Sequence, residues 1–244
     1  MSDLEKNIEG AALTKAHAEG NTRRPDDSPS ESELKLVPKA WHPELNTKGH
    51  KVPIDKPHQA SDPVSWASGD QVALVTPGGT LPEQLNGIPF APWADIPQTE
   101  GEWEDVDGQA ELYEPPFHCP GHLGAAAGVI IKEQDGRVWI AAPTNGFGGS
   151  YVFPKGRTDG MSLQATAIKE AFEESGLQVA IISFIGDFNR TLTRTRYYLA
   201  KRVGGTPSKM GWESQAVLLV PLDQLSEYLT GTANASVLAA LESS

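Results

Sequence analysis

The sequence predicts an α+β domain between about residues 118 and 242. Two observations carry that expectation. Short apolar runs of strand length, separated by Gly and Asn/Asp turns, surround a single helical pattern, and a further helical pattern closes the chain. The helical pattern has its own start and stop signals, Ser162 before it and Gly176 after it.

Leu123 to Lys132, rich in Ala, Val and Ile, has the composition of a buried strand. Gln134-Asp135-Gly136 is a turn, and Arg137 to Ala142 is the returning strand. Residues 145–150 read as a loop leading into a short apolar strand, Tyr151-Val152-Phe153, which turns through Pro154, Gly156 and Gly160 into the helix. Strands are then expected at Leu177 to Phe188, Thr193 to Ala200 and Ser214 to Val220, and helices at Leu222 to Thr230 and Ala233 to Leu241. The Gly204-Gly205-Thr206-Pro207 stretch breaks the chain between the later strands.

Two other regions precede this domain. Residues 1–37 have the composition of a disordered tail, with little to bury between Gly20 and Ser32. Residues 38–117 are rich in Pro and Gly yet contain Trp41, Trp66, Trp93 and Trp103, more tryptophan than a disordered linker carries. We expect an irregular segment that packs its aromatics against the C-terminal domain, with one strand at Gln71 to Val75 and an Asn86-Gly87 turn. The tryptophans read as anchors; stacking of a substrate on Trp66, Trp93 or Trp103 is the alternative.

The formal net charge is −12, and it is unevenly placed. Of the 20 basic and 32 acidic residues, 9 and 21 fall in residues 1–120, leaving 11 of each in the rest. The acidic N-terminal half argues against nonspecific nucleic-acid binding, which needs a basic surface. The balanced C-terminal half can bind an anion locally. One cysteine, Cys119, excludes an intramolecular disulfide and fits a reducing compartment. No apolar run approaches the roughly 20 residues that span a bilayer, and the first residues lack a secretory leader. Together these features lead us to expect a cytoplasmic protein.

The chemistry is concentrated on the helix. Ala165, Ile168, Ala171 and Phe172 point broadly one way, and Glu170, Glu173 and Glu174 the other. Carboxylates at i, i+3 and i+4 converge over one turn and repel one another unless a cation sits among them. A hard divalent ion that prefers oxygen ligands meets that need; a solvated acidic helix face is the plain alternative. Lys169, four residues before Glu173, can steady one carboxylate.

The stretch from Tyr151 to Leu177 resembles the signature of the Nudix hydrolases: Gly, five residues, Glu, seven residues, Arg-Glu, an apolar residue, any residue, Glu-Glu, any residue, Gly, apolar. Gly156 matches the first Gly; Glu170, Ala171, Glu173, Glu174, Gly176 and Leu177 match the second half. The first spacer is one residue short, Met161 stands where the first Glu is expected, and Lys169 replaces the Arg. The resemblance implies an α/β/α sandwich with a mixed sheet. It also implies hydrolysis of a diphosphate linkage in a small-molecule nucleoside diphosphate derivative or related polyphosphate. Mg²⁺, or Mn²⁺ in its place, would be held by Glu170, Glu173 and Glu174 with the Gly156 carbonyl as a further ligand.

The signature leaves the general base open between the helix glutamates, Glu173 and Glu174, and Glu213, which can equally be a solvated loop charge. Lys155 and Arg157 flank the signature Gly and are phosphate-binding candidates by location. Arg194, Arg196 and Tyr198 alternate along one strand face and are either phosphate ligands or an exposed charged face. His118, Cys119 and His122 lack the fourth ligand a structural zinc needs and read as the entry to the first strand.

The substrate is less legible. The extended motif of the NADH diphosphatases is absent, and Thr193 falls near the proline expected of ADP-ribose diphosphatases. Tyr197 and Tyr198 lie where dinucleoside polyphosphate hydrolases carry a tyrosine, and the Arg-bearing strand also suits a diphosphoinositol polyphosphate. A capped RNA end is the one nucleic acid this reading admits. The second function class is a non-catalytic Nudix module that binds a nucleotide or docks a partner, motivated by Met161 and the shortened spacer.

Overall fold

The computed structural model describes residues 40–54, 59–144 and 151–243. The expected tail at 1–37 and the loop at 145–150 lie outside the described residues.

Three short pieces of sheet and two helices come first: β1 (Ala40–Leu45), β2 (Lys51–Ile54), α1 (Pro63–Ala67), β3 (Ala73–Val75), β4 (Gln84–Leu85), β5 (Ile88–Pro89) and α2 (Glu100–Glu104). Asn86 and Gly87, both with positive φ (52° and 79°), make the tight turn between β4 and β5. There follow β6 (Gly124–Lys132), β7 (Val138–Pro143), β8 (Lys155–Arg157), α3 (Leu163–Ser175), β9 (Leu177–Asn189), β10 (Thr193–Gly205), β11 (Ser214–Val220), α4 (Leu225–Tyr228) and α5 (Thr232–Glu242).

The main sheet runs β3-β11-β7-β6-β10-β9, with β8 paired to β6. β6 and β10 are parallel and the remaining pairs antiparallel, so the sheet is mixed. Its two faces bury separate cores. Val129, Ile131, Trp139 and Tyr198 pack with Ala167, Ile168 and Ala171 of α3. Ile130, Ile140, Tyr197 and Leu218 pack with Leu225 of α4 and Val237 and Leu241 of α5. The alternation along β6 that sends Val129 one way and Ile130 the other makes this a helix–sheet–helix sandwich.

The N-terminal segment enters the first of these cores. Trp66 and Trp103 are 3% and 6% exposed and belong to the α3-side cluster. β3 is the edge strand of the sheet, paired antiparallel to β11. It is shorter than the expected Gln71–Val75. Two buried arginines fasten the segment. Arg137 donates to the carbonyls of Ser65 and Trp66 (2.9 and 2.8 Å) while paired with Asp135. Arg202 donates to Leu85 O at 2.8 Å while paired with Glu133 at 2.6 Å.

Two expectations are corrected. The strand before the helix is Lys155–Arg157, not Tyr151–Phe153: Val152 makes only a single bridge to Ala141, and Phe153 fills the α5-side core, fully buried. The helix expected over 222–230 is a 3₁₀ turn followed by only the four residues of α4.

Candidate active site

α3 begins and ends where the sequence signals it. Ser162 Oγ accepts from Ala165 N, and Gly176 adopts the left-handed region at φ 71°. Glu170, Glu173 and Glu174 therefore project from its last two turns. The apolar face holds Ala165, Ile168 and Ala171 in the core as expected. The acidic side is not a solvated ridge, however: Glu174 is buried and Glu170 and Glu173 are half-buried.

Each carboxylate has a distinct neighbour. Glu174 Oε2 accepts the backbone N–H of Lys155 at 2.9 Å. Glu170 lies directly against the Cα of Gly156; a side chain at that position would overlap its carboxylate. This contact is the physical reason the signature position is Gly. Glu173 pairs with Lys169 at 2.5 Å, as the i,i+4 spacing suggests. No three His, Cys, Asp or Glu side chains among the described residues stand gathered as a metal cage.

Burial and mutual repulsion set the electrostatics of these carboxylates. Burial, then the charges of Glu174 and Glu173, push the Glu170 carboxyl up to about 8. Burial pushes Glu174 up to about 7, against the pull of Lys155. Glu213, just before β11, is raised by partial burial of its carboxyl and by Glu173, and its charge acts on both Glu170 and Glu174. Four carboxylates thus share one field with only Lys155 and Lys169 to offset it. The donors are all hard oxygens, the chemistry that suits Mg²⁺ or Mn²⁺, so the residues present fit such an ion.

A pH dependence follows. In the unfolded chain these glutamates ionise near their ordinary value of 4.5; in the fold Glu170 and Glu174 hold their protons to about 8 and about 7. Between those limits the folded state binds more protons than the unfolded, so stability falls as pH rises. Without metal, the melting temperature is expected to drop by several degrees between pH 5 and pH 8.5, and millimolar Mg²⁺ at pH 8.5 to restore it. Differential scanning calorimetry with EDTA or Mg²⁺ checks both.

The other expected site residues separate into two groups. Arg194, Arg196 and Tyr198 share the α3 side of β10. Arg196 and Tyr198 are spent within the fold: Arg196 pairs with Asp187 and Glu114 at 2.7 and 2.8 Å between the rings of Phe117 and Phe184. Tyr198 Oη donates to Glu114 at 2.8 Å. Arg194 donates to Asn189 Oδ1 at 2.8 Å. Lys155 and Arg157 pair in register with Gly128 and Ala126 of β6, on the α5 side. Met161, in place of the signature's first Glu, packs against the α3-side core. Cys119 Sγ donates to Leu123 O at 3.4 Å, at the entry to β6.

The contact of Glu170 on Gly156 and the Glu114–Arg196–Asp187 network were not expected. The second has no local sequence signal, because Glu114 and Arg196 meet only through the tertiary fold.

An α/β/α sandwich with a mixed sheet and an acidic helix seated on a glycine strand defines the class. Residues 122–241 match the NUDIX domain family model, and the chain carries a Nudix hydrolase domain over that range. No curated protein matches the sequence. Among solved structures, a C. elegans Ap4A hydrolase complex is similar at 20% identity, covering 48% of this chain and 96% of that one, TM-score 0.40. An ADP-ribose pyrophosphatase from Streptococcus suis is similar at 21% identity, covering 49% and 91%, TM-score 0.40. A MutT protein from Methanosarcina mazei is similar at 13%, covering 50% and 94%, TM-score 0.41.

Proposed function

We propose that the domain hydrolyses a diphosphate linkage in a small-molecule nucleoside diphosphate derivative or related polyphosphate, with Mg²⁺ or Mn²⁺ as cofactor. The observation that carries this reading is the seating of Glu170 on Gly156 and of Glu174 on the Lys155 amide, which fixes two hard-oxygen donors side by side. Glu170, Glu173 and Glu174 would hold the ion, with the Gly156 carbonyl as a further donor. The bound ion would supply charge neutralisation at the phosphate oxygens and a more acidic water.

This chain's residues do the rest. Lys169 holds Glu173 in reserve until a stronger cation competes for it. Glu213, with its carboxyl raised, would accept a proton from the attacking water in this reading, with Glu173 the other candidate base. Lys155 and Arg157 supply positive charge for the phosphate oxygens, and Arg194 stands by as a third. Arg196 and Tyr198, with their polar atoms engaged on Glu114 and Asp187, position the strand rather than the substrate. Among the described residues no helix is long and apolar enough to cross a membrane, and the single cysteine accords with a cytoplasmic setting.

Met161, packed against the core where the signature has its first Glu, also favours a second reading, a Nudix module that binds a nucleotide without turnover. One experiment separates the two. Purified protein with Mg²⁺ is incubated with nucleotide sugars, dinucleoside polyphosphates, a capped RNA end and inositol pyrophosphates. The hydrolase reading expects phosphate-bearing products from at least one class; tight binding with no product from any would establish the binding module instead.

A further inference from the structure

The chain has six tryptophans, and four are spent on packing. Trp66 meets Phe90 and Trp139 at 5.8 and 6.0 Å between ring centroids. Trp93 meets Trp103 and Phe172 at 5.8 and 5.5 Å. Trp139 also donates its Nε1–H to Glu133. The three tryptophans that the sequence offers for stacking, Trp66, Trp93 and Trp103, thus already have ring partners within the fold. Of the other two, Trp41 lies on β1 and Trp212 on the turn that leads into β11.

The turn that carries Trp212 is pressed against the acidic end of α3. Gly211 N donates to Glu173 O at 2.8 Å, and a side chain on Gly211 would come within 2.5 Å of that oxygen. Ser214 N closes the turn on Gly211 O at 3.0 Å, with Trp212 and Glu213 at its two corners. Thr144, just after β7, donates its N–H and its hydroxyl to Glu213 O, at 2.8 and 3.2 Å. The backbone under Trp212 is therefore braced on α3 and on the end of β7, with Glu213 as its next residue. The indole is not packed in the same way. Trp212 is partly exposed, and among the described residues its ring meets no other ring and belongs to neither core cluster. A flat apolar ring on a braced turn is a platform for a second flat ring, and the bracing lowers the entropy lost on binding. Only a ribose separates the base of a nucleotide from its phosphates, so a platform for the base has to stand next to the metal ligands, as the Trp212 turn does.

We propose that Trp212 stacks on the aromatic base of the substrate, which is then a nucleotide and not a polyphosphate without a base. This rests on the reading of the preceding subsection, which assigns the diphosphate to the glutamates.

The test measures binding of the methylene-bridged analogue of ADP, and of methylenediphosphonate, which has the same bridge and no base, to the full-length protein with Mg²⁺ by isothermal titration. The nucleotide analogue is expected to bind about tenfold or more tightly, the size of a base–aromatic stack. Trp212→Leu is expected to bring the two within about twofold by weakening the nucleotide analogue alone, and Trp212→Phe to keep most of the difference. A merely structural indole would move both compounds together or neither; either result in Trp212→Leu overturns the stacking. Tryptophan fluorescence decides the matter where Trp212→Leu fails to fold: the nucleotide analogue is expected to quench the wild type and not Trp212→Phe, and quenching that persists in Trp212→Phe overturns the proposal. Equal binding of the two compounds by the wild type overturns the stacking alone. If neither compound binds the wild type, the diphosphate reading falls and takes the stacking with it.

Discussion

Glu133→Ala is expected to destabilise the protein by about 3–5 kcal/mol, the usual cost of leaving a buried charge without its partner. Glu133 and Arg202 are 1% and 0% exposed at their side chains and meet at 2.6 Å. Glu133 Oε1 also accepts from Trp139 Nε1 at 2.9 Å, and Oε2 from Asn86 Nδ2 at 3.1 Å. The guanidinium of Arg202 stacks 4.6 Å over the Phe90 ring while donating to Leu85 O. Removing the carboxylate orphans Arg202 Nε, Trp139 Nε1 and Asn86 Nδ2 at once, at the junction where the β4–β5 turn meets the sheet. Urea unfolding measures the loss. The double variant Glu133→Leu with Arg202→Met is expected to recover much of it, since an apolar pair needs no counter-charge. A loss under 1 kcal/mol for Glu133→Ala would mean that water reaches Arg202 and that the N-terminal segment is not fastened there.

Glu174→Gln is expected to act in the opposite sense on stability and to remove most activity. Its carboxyl is buried and raised to about 7, so its charge opposes folding at alkaline pH. A neutral amide, whose oxygen can still accept the Lys155 N–H, relieves that repulsion. At pH 8.5 without metal the variant should therefore melt higher than wild type, by about 2–4 °C for each kcal/mol relieved. Hydrolysis should fall by roughly 10²–10⁴-fold, because a positioned ligand and charge are lost from the reacting centre. A variant that loses stability and keeps its rate would make Glu174 a structural residue of α3 that holds β8 in place.

How much of this could be read from the chain depended on whether a signal was local. Ser162, Lys169 with Glu173, and Gly176 act within one or two helical turns, and the structure places each as its spacing implies. The α+β class followed from the order of apolar runs, and the sandwich from the resemblance of residues 151–177 to the Nudix signature. The strand at Lys155–Arg157 was missed because its residues are charged or lack a side chain; it forms because β6 offers Ala126 to Gly128 as an unpaired edge. The burial of Glu174 was missed because helix periodicity says which residues share a face, not what stands against that face. Met161 looked like a defect in the signature, and its packing into the α3-side core shows the position used for burial. The network of Glu114, Asp187, Arg196 and Tyr198 joins residues up to 84 positions apart, beyond the reach of any periodicity.

The account turns on one cation shared by Glu170, Glu173 and Glu174. A crystal structure with Mn²⁺, located by its anomalous signal, addresses this most directly. The expected result is one strong peak bounded by carboxylate oxygens of Glu170, Glu173 and Glu174, with Glu173 turned away from Lys169. A peak elsewhere, or Mn²⁺ present in the crystal with Glu173 still on Lys169 and no density among the three, would contradict it.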